Sequence, residues 1–145
     1  MTAAEYLRAA QSSNDPSASP KQRLRVLVVD DERDVVLTLS ALLADEGYEV
    51  RGVYKGLDAL DAMRDFDPAV VLLDLALPDM SGWEVARRIR TTYGDERHKL
   101  ISITGRYKQG SDRVLGQMAG FDYALDKPCD PRALLALLEK IAGLP

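Results

Sequence analysis

From Leu24 onward, short apolar runs alternate with segments of helical spacing. The runs are LRVLVV (24–29), YEVRGV (48–53), AVVLLDL (69–75), LISIT (100–104) and YAL (123–125). Each has the length of a strand, and most are rich in Val, Leu and Ile. In the first intervening segment, Val35, Val36, Leu39, Leu42 and Leu43 share one helical face. The next carries Leu57, Leu60, Met63 and Phe66, and the third Trp83, Val85, Ala86 and Ile89. Val114, Leu115 and Met118 mark a fourth helix; Leu134, Leu135, Leu137, Leu138 and Ile141 mark a fifth.

End signals agree with this division. Gly47, Gly94, Gly120 and Gly143 each fall where a helix should stop. SGWE (81–84) reads as a capping box, with Ser81 as cap and Glu84 at the third helical position. Asp130 followed by Pro131 is a cap and first-turn pair. The pattern is five βα units. Continuously apolar strands between helices imply a parallel sheet covered on both faces. YEVRGV is the least apolar run and is expected at an edge.

Residues 1–22 break the pattern. AAEYLRAA has weak helical character, and QSSNDPSASPKQ is rich in Ser, Pro and Asn, so the stretch reads as a flexible leader or linker. The remaining chain is long enough for one domain with its own core.

Charge narrows the function. With 23 acidic and 19 basic residues the net charge is −4, which argues against a general nucleic-acid binder. The basic patches RRIR (87–90) and RHK (97–99) are read as solvated faces. No apolar run reaches the ~20 residues of a membrane span, and no signal-peptide core opens the chain. Cys129 is the single cysteine, so no disulfide framework forms. A cytoplasmic setting without membrane or nucleic-acid partners is expected.

The chemistry gathers where the strands end. The first run leads into Asp30, Asp31 and Glu32, the third carries Asp74, the fourth ends at Thr104, and the fifth leads to Lys127. In an open parallel sheet these C-terminal ends lie on one side, where ligands bind. Three aspartates, a hydroxyl and an ammonium thus converge. Clustered carboxylates repel one another unless a cation sits among them, and Mg²⁺ suits a small, hard, oxygen-rich site. Lys127 supplies a second positive charge. Asp74 can then attack phosphorus to give an aspartyl phosphate. Metal and lysine would neutralise the transferring phosphoryl oxygens, and Thr104 can donate a hydrogen bond to one of them.

Each residue alone has a plainer reading. An Asp after a strand is usually a helix cap, and a Thr ending a strand a β former. The whole set, in order and each at a strand end, points to a site. His98, the single histidine, is read as a solvent-exposed loop residue rather than a phosphodonor or metal ligand.

With those residues in view, the chain resembles the receiver domain of two-component response regulators, the CheY-like family. The matching segments are VVDDE (28–32), KGLDAL (55–60), VLLDLALPDMSGWE (71–84), SITG (102–105) and DKP (126–128). The resemblance covers residues 23–143, with 23–145 taken as the receiver domain. It implies a flavodoxin-like (βα)5 doubly wound α/β fold with strand order 2-1-3-4-5, an order the residues alone do not supply.

It also implies roles. Asp74 would be the phosphoacceptor. Asp31 would bind Mg²⁺, supported by Asp30, with Asp74 and the backbone carbonyl of Ala76 completing the protein ligands. Thr104 would be the switch hydroxyl and Lys127 the phosphate partner, placed by a cis Lys127–Pro128 bond. Gly105 would leave open space beside the phosphate. One position departs from the family. Receivers often carry Tyr or Phe three residues before the lysine, and here that position is Ala124, with Tyr123 one residue earlier. A one-residue offset in a strand moves a side chain to the other face, so Tyr123 is not expected to couple to Thr104.

The expected function is a phosphoacceptor switch, charged by a histidine kinase or histidine phosphotransfer protein and read by a protein partner. It is not expected to be an enzyme beyond its own phosphorylation and dephosphorylation. The chain reads as a stand-alone regulator without an output domain; the alternative is a receiver cut from a hybrid kinase or larger regulator. A phosphatase of the haloacid-dehalogenase type would need a D-x-D-x-T/V run after the first strand, where this chain has DDERD. A degenerate scaffold would not need the Asp, Thr and Lys set.

Overall fold

The computed structural model describes residues 24–105 and 120–143. The leader at 1–22 and the helix expected around Val114, Leu115 and Met118 lie outside them. Five parallel strands form one sheet: β1 (Arg25–Val29), β2 (Glu49–Val53), β3 (Val70–Asp74), β4 (Lys99–Thr104) and β5 (Tyr123–Asp126), in the order β2-β1-β3-β4-β5. The described helices are α1 (Arg33–Asp45), α2 (Gly56–Asp65), α3 (Gly82–Tyr93) and α4 (Pro131–Ile141). The flavodoxin-like (βα)5 expectation holds, including YEVRGV at an edge.

Strand alternation sorts the core into two layers. Leu27, Val29, Val71, Leu73 and Leu100 point to one face and pack with α2 and α3. Val26, Val28, Val70, Leu72, Ile101 and Ile103 point to the other and pack with α1 and α4. β1 and β3 are buried on both sides, which is why their sequences are unbroken apolar runs. Each fully buried Val or Leu contributes about 1.5–3 kcal/mol.

The end signals are realised locally. Gly47, Gly94, Gly120 and Gly143 all have positive φ, a conformation that favours glycine. Ser81 Oγ accepts the Glu84 N–H, and Asp130 accepts the Arg132 N–H with Pro131 in the first turn.

In α2 the buried residues are Gly56, Ala59, Ala62 and Met63, while Leu57 is 55% exposed. Leu57, Leu60, Met63 and Phe66 are spaced by three, and that spacing drifts around a helix of 3.6 residues per turn, so Leu57 ends up opposite Phe66. His98 is not a solvated loop residue: it is 1% exposed. Its Nδ1 meets the Pro68 carbonyl, and its ring stands edge-on to Tyr93 with centroids 5.3 Å apart. Arg90 is not part of a solvated face either. Its guanidinium donates to the carbonyls of Gly120 and His98 and to Asp122. It ties α3 to the entries of β4 and β5. Arg87 and Arg88 do face solvent, paired with Glu84, whose carboxyl they pull down to about 2.

Candidate functional site

The C-terminal edge of the sheet assembles the site. Asp30 follows β1 and is held in line by its N–H, which donates to the Val53 carbonyl at 3.2 Å. Asp74 is the last residue of β3, the strand at the centre of the order. Thr104 ends β4, and Lys127 follows β5, its N–H donating to the Thr104 carbonyl at 3.3 Å. The Lys127–Pro128 bond is cis, as the resemblance implied. Parallel pairing puts these strand ends on one side, so residues far apart in sequence meet.

Lys127 sits among carboxylates. Its Nζ lies 2.9 Å from Asp30 Oδ2, 2.8 Å from Glu32 Oε1 and 3.6 Å from Asp74 Oδ2. Burial works against its charge, but the bonds to Glu32 and Asp30 outweigh burial and push its pKa up, so it stays an ammonium. Burial raises the Asp30 carboxyl, with the Asp74 charge adding; the Glu32 N–H and Lys127 pull it back. Asp30 is 3% exposed and Asp74 5%. Asp74 Oδ1 also accepts the Ala76 N–H at 3.2 Å, which orients the carboxylate from below.

The loop after β3 is fixed by contacts the sequence did not announce. Ala76 and Ser81 form an antiparallel bridge, and the Gly82 N–H donates to the Leu75 carbonyl at 2.9 Å. A Cβ on Gly82 would lie 2.5 Å from the Asp74 carbonyl oxygen, so only glycine lets α3 start this close to Asp74. Asp79 reaches the N-terminus of α2, accepting from Gly56 and Leu57. A Cβ on Gly56 would collide with Met80. Glycine at 56 and 82 and aspartate at 79 thus hold the Asp74 loop between two helices. Both glycines and Asp79 lie in the segments quoted above, but nothing local shows that Asp79 caps a helix 23 positions away.

A cleft of about 830 Å³ opens over these residues, lined by Asp31, Asp74, Ala76, Thr104 and Lys127. Among the described residues, Asp30, Asp31 and Glu32 present carboxylate oxygens within 4.8 Å of one another. The sequence reading placed Asp30 and Asp31 in the metal set and left Glu32 without a role. Gly105 packs against Lys127: a Cβ there would stand 3.2 Å from the Lys127 carbonyl oxygen and 3.6 Å from its Cβ. The space beside Gly105 is therefore bounded by the lysine itself. Cys129 lines the same cleft, and burial pushes its thiol pKa up, away from a reactive thiolate.

Register settles the position of Tyr123. Ala124 pairs with Ser102 and Asp126 with Thr104, whereas Tyr123 pairs with Ile101. Tyr123 therefore packs on the α1 and α4 side, with Lys140 over its ring. Ala124 occupies the Thr104 side of the sheet, as the offset implied.

The family profile described as response regulator receiver domain matches residues 26–139. The chain is a response regulator receiver domain. Solved structures agree with this. A CheY-like receiver domain protein from Methanospirillum hungatei is 29% identical, with a TM-score of 0.76 over 83% of this chain and 94% of that one. Chemotaxis protein CheY4 of Vibrio cholerae is 27% identical, with a TM-score of 0.76 over 81% of this chain and 98% of that one. The BeF3-activated DrrB receiver domain is 30% identical, with a TM-score of 0.72 over 81% of this chain and 96% of that one. The receiver thus belongs to two-component signalling, whose domains act in general as phosphoacceptors meeting a phosphodonor and a downstream partner. In its described residues, no helix is long and apolar enough to cross a membrane.

Proposed function

We propose that this receiver takes a phosphoryl group on Asp74 from a phosphohistidine of a histidine kinase or histidine phosphotransfer protein. The aspartyl phosphate then changes its affinity for a protein partner. The observation that carries this reading is the placement of Asp74: at the end of a central strand, lining the cleft, with the Lys127 ammonium 3.6 Å from its Oδ2. In the transfer, an Asp74 oxygen forms a bond to phosphorus. The P–N bond breaks, and its electron pair returns to the ring nitrogen of the donor.

A hard, oxygen-only donor set fits Mg²⁺. The residues that would hold it are Asp30, Asp31 and Asp74, with the backbone carbonyl of Ala76. When bound, Mg²⁺ supplies positive charge to the phosphoryl oxygens. The chain's own groups do the rest. Lys127 offers a permanent ammonium to the phosphoryl oxygens. Thr104 offers a hydroxyl from the end of β4. The Ala76 N–H keeps the Asp74 carboxylate aimed from its loop. The receiver acts as the acceptor of a single group rather than as a turnover catalyst, in a cytoplasmic setting.

Acetyl phosphate with Mg²⁺ tests the assignment. Wild type should gain an acid-labile phosphoryl group, and Asp74→Asn none. Stoichiometric labelling of Asp74→Asn would overturn it. Steady turnover of a generic phosphate ester would instead mark a phosphatase.

A further inference from the structure

Lys127 is held away from the acceptor. Its ammonium is within hydrogen-bond distance of Glu32 and Asp30, at 2.8 and 2.9 Å, but 3.6 Å from Asp74. The two near partners differ in freedom. The Asp30 side chain is 5% exposed and its other oxygen accepts the Glu32 N–H at 2.9 Å. It cannot move without breaking a buried network. The Glu32 side chain is 62% exposed and can swing into water. Glu32 is also the residue that opens α1, yet its side chain makes no capping bond to the helix. It reaches instead to a lysine 95 positions away.

We infer that Glu32 is a positioning residue: a latch that holds Lys127 off Asp74 until a phosphoryl group arrives. The inference rests on Asp74 being the acceptor. An aspartyl phosphate carries up to about two negative charges, against one on the carboxylate, so it draws the ammonium toward Asp74. Asp30 can keep its bond as the amine pivots, whereas the Glu32 bond is released. A contact present before phosphorylation and absent after it opposes the change by its own net strength. Solvent-exposed ion pairs contribute little, so loosening the latch should favour the phosphorylated form by about two- to fivefold.

The test compares wild type with Glu32→Asp, Glu32→Gln and Asp34→Asn. Glu32→Asp keeps the charge and loses the reach; Asp34→Asn removes a charge from the same cleft without touching Lys127. Affinity for beryllofluoride, a mimic of the aspartyl phosphate, is read in Mg²⁺ by the fluorescence of Trp83, the single tryptophan. Glu32→Asp should bind it about two- to fivefold tighter, and Asp34→Asn as wild type does. If Glu32→Asp equals wild type, or if Asp34→Asn shows the same gain, the latch is refuted. Mg²⁺ affinity without beryllofluoride should be unchanged in Glu32→Asp; a loss would make Glu32 a metal ligand and overturn the proposal.

A second readout needs no phosphate mimic. The side-chain ¹⁵Nζ resonance of Lys127 should shift in both Glu32 variants and stay put in Asp34→Asn. An unmoved resonance in Glu32→Asp overturns the latch. Failure of wild type to bind beryllofluoride while that resonance does shift would sink the phosphoacceptor reading, and the latch with it, leaving only the Glu32–Lys127 contact.

Discussion

Asp79 Oδ1 accepts the backbone N–H of Gly56 at 2.8 Å, and Asp79 Oδ2 that of Leu57 at 2.9 Å. A loop residue from the far side of β3 thereby caps α2, satisfying donors that a helix start leaves open. It also pins the loop that carries Asp74 and Ala76. Burial works to raise this carboxyl, but the N–H groups of Leu57, Gly56, Asp79 itself and Met80 together hold it below the ordinary range.

Asp79→Ala should cost about 1–2 kcal/mol, the upper part of the range for a lost cap. The folded pKa is lowered, so the contribution is full above the unfolded carboxyl value of about 3.9 and is lost as pH falls through the folded value. Thermal melts of wild type and variant should therefore differ at neutral pH and converge on acidification. A gap that widens in acid would contradict the capping account.

Gly82→Ala should destabilise the fold by about 1–3 kcal/mol, because the new methyl meets the Asp74 carbonyl oxygen and the Leu75 Cα, both backbone. The loss should be accompanied by slower labelling by acetyl phosphate, since the displaced segment carries Asp74, the proposed acceptor. Denaturant unfolding and labelling rates on one preparation check both. Gly94→Ala is the contrast: a Cβ there meets nothing within 4 Å, although its φ of +85° makes it strained. It should lose stability without slowing the labelling.

Mg²⁺ should raise the melting temperature of the unphosphorylated protein. At ten times its Kd the gain is about 1.4 kcal/mol by mass action, or about 3–8 °C. Asp31→Ala should lose this effect. Without metal it should be at least as stable as wild type, because one repelling charge beside Asp30 and Glu32 is gone. An equal Mg²⁺ shift in both proteins would remove Asp31 from the metal site.

Tyr123→Ala should weaken packing on the α1 and α4 side, where the ring lies under Lys140. It should leave beryllofluoride affinity within about twofold, a difference near 0.4 kcal/mol. The ring is on the opposite face from Thr104, so it has no direct hold on the site. A tenfold loss of affinity would show that it does.

Some of this protein is determined by its sequence alone, because the forces involved act within one turn or one strand. Apolar runs made strands, helical spacing made amphipathic faces, and Gly47, Gly94, Ser81 and Asp130 ended or began helices where their own backbones required it. Asp30, Asp31, Asp74, Thr104 and Lys127 were legible as a site because a parallel sheet brings its C-terminal ends to one side. The strand order came from family resemblance, since periodicity does not say which strands are neighbours. Tertiary structure decided what depends on the path of the chain. It buried His98 against Pro68 and drew Arg90 to Gly120 and Asp122. It joined Asp79 to Gly56 and Glu32 to Lys127. Those pairs are distant in sequence, so no local pattern encodes them. A polar side chain looks solvated in sequence until the fold brings it a partner.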